Sequence, residues 1–138
     1  MTHTEDAQKM FDISTVHMIR QGERAVDESG ACKYRTANGL KCAVGVLIPD
    51  AEYSKWMDRA GSLHEVIRTA HRNNLMTPTI QLMHEHRLLL TSLQEAHDYA
   101  ALWEDGLVAL VHNLRDTAAS FNLNCDALDA AVAARSIS

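Results

Sequence analysis

A chain of 138 residues, 46% of them apolar, suits one globular domain with a sizeable core, here expected to span residues 1–138. Its formal charge of −5 and pI near 5.8 argue against a nucleic-acid binder, which needs surplus lysine and arginine to displace counterions. The opening MTHTEDAQKMFDIS lacks a cationic stretch followed by an apolar core, and Val46-Leu47-Ile48 and Leu88-Leu89-Leu90 are too short to span a bilayer. The expected location is therefore the cytoplasm, without a membrane partner. Scarce aromatics, at 5%, and six methionines favour helices packed on helices.

From about Thr4 to Gln21 the residues Phe11, Thr15, Met18 and Ile19 share one face, and Gly22 is placed to stop that helix. Val26 to Gly30 reads as a connector. The next stretch predicts a short β-hairpin near residues 31–44, with Asn38-Gly39 supplying the tight reversal. Ala43 to Ile48 continues as strand or begins a helix. Pro49-Asp50 then restarts the chain, with Asp50 as the expected N-cap of a short helix through Tyr53 and Trp56. Gly61 ends that helix. Ser62-Leu63-His64-Glu65 is a capping box opening a helix to about Arg72, which Asn73-Asn74 ends. Thr77-Pro78 opens the strongest helical pattern, from Pro78 to about Tyr99, with Ile80, Met83, Leu90, Leu93 and His97 on one stripe. Leu107, Leu110, Val111, Leu114, Ala118 and Phe121 predict a further long helix, and Cys125 to Arg135 a short terminal one. The predicted fold class is mainly α, a compact helical domain with that single hairpin.

Three cysteines, Cys32, Cys42 and Cys125, form an odd set, and in a reducing compartment they read as free thiols. A hairpin centred near Asn38 would bring Cys32 and Cys42 together, yet two ligands do not complete a zinc site, which needs four. His84 and His86, two apart on a helix, point about 200° apart and cannot share an ion; they read as solvent-facing. His97-Asp98 differs, because His97 lies on the apolar stripe and Asp98 can orient an imidazole. Cys32, Cys42, His97 and Asp98 are thus the candidate metal ligands, with zinc the cofactor they would take; otherwise no cofactor is expected. Arg35 offers a planar fork for an anion or for an internal partner among Asp27, Glu28 and Asp50. Neither a phosphate loop nor a nucleophile elbow is present in the sequence.

The pattern Cys32-x-Tyr34-Arg35-x3-Gly39-Leu40-Lys41-Cys42-Ala43-x-Gly45-x-Leu47-Ile48-Pro49-Asp50 resembles a group of small proteins of unknown function encoded by bacteria, prophages and phages. Leu93-Gln94-x2-His97-Asp98, followed by Trp103 and Asn122-Leu123, resembles that group's C-terminal pattern, and about residues 68–79 look like added length. The resemblance implies a phage or mobile-element setting and assigns no reaction. Two separated blocks also suggest that the Cys-Tyr-Arg hairpin packs against the His97 region.

The expected function is a non-enzymatic accessory protein that binds and modulates a host or phage protein, for instance by blocking a defence complex. Tyr34, Arg35, Tyr53, Trp56, Arg59 and Trp103 are the candidate binding residues, of the types enriched at interface hot spots. The alternative is a metal-binding or thiol-redox protein using Cys32, Cys42 and His97. Nucleic-acid binding would need a basic face gathered from Arg20, Arg24, Lys33, Arg35 and Lys41. The long amphipathic helices also suit a homo-oligomer.

Overall fold

A computed structural model describes residues 2–137. Its helices are α1 (His3–Gln21), α2 (Lys55–Ala60), α3 (Leu63–Arg72), α4 (Pro78–Glu85), α5 (Arg87–Asp98), α6 (Val108–Ser120) and α7 (Asp126–Ala134), with 3-10 turns at Gly45–Leu47, Ala100–Trp103 and Asp105–Leu107. No helix of the described residues is long and apolar enough to cross a membrane.

The first helix is the hub. The Thr2 hydroxyl accepts the Glu5 N–H at its start, and Gly22, left-handed at φ 72°, donates its N–H to Met18 at its end. Its buried residues include Phe11, Met18 and Ile19, which meet α5, α7 and the turn at Gly45–Leu47 in one continuous core. Each such side chain contributes about 1.5–3 kcal/mol on burial. Gln8 fastens the connection between α6 and α7 by donating to Asn124 O at 3.0 Å and accepting from Asn124 N–H at 2.9 Å.

Local chemistry explains several boundaries. Ser62 accepts the Glu65 N–H at 3.3 Å, and Thr77 accepts the Ile80 N–H at 3.1 Å with Pro78 in the first turn. Asp50 does not cap α2, which starts at Lys55 behind Ser54; the Asp50 carboxylate instead pairs with Arg35 at 2.7 Å and Lys41 at 3.5 Å. The expected continuous helix from Pro78 to Tyr99 is broken at His86, whose backbone sits at φ −109° and ψ 23°. In an unbroken helix Met83 and Leu89 would point about 120° apart. The break re-phases the chain so that Ile80, Met83, Leu89, Leu90 and Leu93 are all buried, and it also carries His86 inward.

The predicted hairpin near residues 31–44 is not present: the described residues contain no β-strand, only two isolated antiparallel bridges, Val26 with Cys32 and Arg35 with Lys41. Two small reversals take its place. Asp27 N–H donates to Ala31 O and Thr36 N–H to Leu40 O, each at 2.9 Å, and Gly39 supplies a positive φ of 88° in the second. The ladder fails because side chains from the helices claim the backbone groups a partner strand would use. Gln21 both donates to Lys41 O and accepts from Lys41 N–H, each at 2.9 Å, while His17 donates to Lys41 O at 2.9 Å and Ser14 to Ala43 O at 2.9 Å. Asp58 accepts the Tyr34 N–H at 2.6 Å. Every polar backbone group still needs a partner, but a sheet is only one way to supply it.

The segment doubles back so tightly that a β-carbon at position 45 would lie 2.1 Å from the Tyr34 carbonyl oxygen. Gly45→Ala is therefore expected to cost about 3 kcal/mol, read as a fall in the urea midpoint at unchanged slope. A midpoint equal to the native protein's would contradict this packing.

Candidate functional site

The two sequence blocks meet at the C-terminal end of α5. Gln94, His97 and Asp98 occupy i, i+3 and i+4 positions, so their side chains emerge on one side of that helix. His97 is fully buried, and its Nε2 lies 2.9 Å from the Ala25 N of the connector. A backbone amide can only donate, so Nε2 must accept. The ring proton consequently sits on Nδ1, which donates to Asp98 Oδ1 at 2.8 Å. The same oxygen accepts from Gln94 Nε2 at 2.9 Å, while Gln94 Oε1 accepts the Val44 N–H at 3.2 Å. Trp103 sets its ring edge against His97, with centroids 5.7 Å apart, and anchors itself by donating from Nε1 to Ala96 O at 3.1 Å.

Cys32 completes the group. Its sulfur lies within 4.8 Å of a carboxylate oxygen of Asp98, and Arg24 reaches both the Cys32 sulfur at 3.5 Å and Asp98 O at 3.2 Å. Burial and the neighbouring Asp98 charge push the Cys32 thiol up, so it is held protonated. Burial alone would raise Asp98, yet the bonds from His97 and Gln94 and the nearby Cys32 thiol outweigh it and hold the carboxyl below its ordinary range. Cys42 is fully buried and its thiol is pushed up to about 12, chiefly by burial. Together with Tyr34, Asp58 and Gln94, these groups line a pocket of about 230 Å³.

Among the described residues, Cys32, His97 and Asp98 are the group whose ligand atoms approach closely enough for one ion, all within 4.8 Å of one another; Cys42 is not part of it. The tautomer counts against such a centre. A metal on Nδ1 would move the ring proton to Nε2, where it would meet the Ala25 N–H head-on. The imidazole's accepting nitrogen is given to backbone and is not turned to the thiol. The arrangement is a clasp: α5 holds the connector and the Cys32–Val44 segment through named hydrogen bonds.

The candidate binding residues divide. Tyr34 is buried and donates from its hydroxyl to Gly61 O at 2.6 Å; Trp56 and Trp103 are half-buried against the core. Arg35 stacks on the Tyr53 ring at 4.7 Å while pairing with Asp50, and the Tyr53 hydroxyl donates to Asp58. Burial and that carboxylate raise Tyr53 to about 12. Arg59 is exposed. Arg35, Tyr53 and Arg59 share one shallow concavity of about 570 Å³ with Lys33 and Lys55, opposed by Asp27 and Asp58. The proposed basic face does not assemble, since Arg24 is turned to Asp98 and Arg35 and Lys41 converge on Asp50. Sequence reading missed Gln21, Asp58 and Lys55; the i, i+3, i+4 spacing of Gln94 with His97 and Asp98 was the available signal for the clasp. No family model, curated protein or solved structure matches the chain.

Two outcomes test this geometry. Folding favours ionised Asp98, so its contribution is complete above the ordinary value of 3.8 and is lost as pH falls through the lower folded value. Asp98→Asn is expected to cost about 1 kcal/mol at neutral pH and to flatten the acid limb of the stability curve; equal steepness in both proteins would contradict this. In ¹⁵N spectra the His97 ring is expected to show Nδ1 as the donor and Nε2 as the acceptor, with zinc leaving its signals and the melting temperature unchanged. A zinc-dependent shift of His97 would restore the metal reading.

Proposed function

We propose that this chain is a non-enzymatic accessory protein that binds an acidic segment of a partner protein on the concavity formed by Lys33, Arg35, Tyr53, Lys55 and Arg59. The observation that carries the reading is the contrast between two neighbouring regions. The cysteine–histidine group spends its polar atoms internally, whereas the adjoining concavity, on a chain of net charge −5, is lined by four cations of which two, Lys33 and Arg35, already pair with Asp27 and Asp50 and two, Lys55 and Arg59, face outward. The two carboxylates of that lining are already engaged: Asp58 accepts from Tyr34 and Tyr53, and Asp27 accepts from Ser29 and Ala31. Among the described residues Lys55 and Arg59 make no ion pair. Local positive charge on an otherwise acidic surface steers an acidic partner to one face, and Tyr53 with Arg35 stacked on it provides a rigid planar contact.

The resemblance of the Cys32–Asp50 block supports placing this activity in a phage or mobile element, where the partner is a host or phage protein and a defence complex is one such target. The thiol-redox alternative is weaker, because both site cysteines are held as protonated thiols.

The test uses the reduced, tagged protein as bait in phage-infected and uninfected lysates beside a Lys55→Glu/Arg59→Glu variant. One stoichiometric partner is expected, retained by the native chain and lost by the variant, with cross-links from Lys55 landing in an acid-rich stretch. Affinity should fall about tenfold or more on charge reversal. Capture indifferent to the reversal, or cross-links confined to neutral or basic stretches, would contradict the proposal.

A further inference from the structure

The break between α4 and α5 leaves polar groups unfinished at one place. His86 is 4% exposed, yet its Nε2 has no hydrogen-bond partner, and a buried polar atom in that condition weakens a fold unless something completes it. No side chain caps the N-terminus of α5, where the first-turn amides carry partial positive charge. Both features border a pocket of about 260 Å³ that His3, Thr4 and Arg87 also line. The His3 ring stacks on His86 with centroids 4.2 Å apart and planes inclined by 24°. Apart from Glu85 the remaining wall is apolar and includes Phe121, Leu123 and Leu88, which at 71% exposure is the most solvent-exposed large hydrophobic side chain among the described residues.

We infer that this pocket binds a small amphipathic monocarboxylate, its carboxylate accepting hydrogen bonds from His86 Nε2–H and the first-turn amides of α5, its hydrocarbon body covering Leu88, Phe121 and Leu123. The polar end suits an anion, because a helix N-terminus and Arg87 both favour negative charge. Burial and the nearby His3 charge keep His86 neutral, so the ring offers a donor without a charge of its own. Glu85 also lines the pocket and opposes a dianion. A shared metal ion fits poorly, since nearly parallel stacked rings direct their lone pairs side by side rather than at a common point. The apolar wall explains why the ligand needs a body: a bare oxyanion would leave Leu88 in water.

Titration of the intact protein with sodium octanoate, followed by amide and histidine-ring NMR, tests the site. Saturable binding is expected, with the largest shifts at the amides of Arg87, Leu88 and Leu89 and at the His86 ring. Octan-1-ol, with the same chain and no charge, should bind about tenfold more weakly. His86→Phe keeps a ring but loses the donor, and should weaken octanoate about tenfold; Leu88→Ser should weaken it about threefold. Absence of saturation, equal affinity for octanoate and octanol, or shifts centred away from α5 would overturn the proposal, as would undiminished affinity in His86→Phe. Octanoate against octanol on the native chain decides the matter even where that variant does not fold.

Discussion

The constraint on which the rest depends is that a long segment, from Gly22 to Ser54, helical only in the 3-10 turn at Gly45–Leu47, runs through the molecule without a strand to pair with. Its amides and carbonyls cannot be left dry and unbonded. The structure answers by lending it side chains from three helices. Ser14, His17 and Gln21 of α1 hold residues 41–43, Asp58 of α2 holds Tyr34, and Gln94 and His97 of α5 hold Val44 and Ala25. The buried imidazole is central because it joins a backbone amide on one side to a carboxylate on the other. That carboxylate then serves Gln94 as well. Hydrogen bonds of this kind are individually modest, at about 0.5–1.5 kcal/mol each, but losing any one leaves a buried group unpaired.

This organisation draws residues that suggest chemistry into internal hydrogen bonds. A thiol, an imidazole and a carboxylate within a few ångströms look reactive in sequence and in outline. The hydrogen bonds say otherwise, because the imidazole donates to Asp98 on one side and its accepting nitrogen is given to Ala25 on the other. Rigidity is the product. The clasp holds the segment that bears Lys33 and Arg35, and α2 beside it carries Lys55 and Arg59, so both sides of the concavity are tied to the helical core, which suits the proposed binding role.

Much of the helical architecture was legible. Capping at Ser62 and Thr77 and the stop at Gly22 are local effects that act through neighbouring residues, and their residue types announce them. The meeting of the two sequence blocks was also suggested by their separation, and the contacts of Gln94, His97 and Asp98 with Ala25, Cys32 and Val44 realise it. The hairpin was not legible correctly. Asn38-Gly39 does mark a reversal, but whether the flanks pair with each other or with Gln21 and Asp58 depends on helices distant in sequence. The break at His86 was hidden for a similar reason, since the stripe from Ile80 to His97 is continuous and only the need to bury Leu89 as well as Met83 re-phases it. A surface residue such as Lys55 carries no local signal; its significance comes from the four side chains folded around it.

The claim that His97 clasps the connector is most directly tested by native-state hydrogen exchange at the Ala25 amide. If that N–H donates to the buried Nε2, it exchanges only when the molecule opens globally, at the rate of core amides in α1, although Ala25 lies in no helix or strand. Exchange at the rate of neighbouring exposed loop amides such as Glu28 would show that the clasp is not formed.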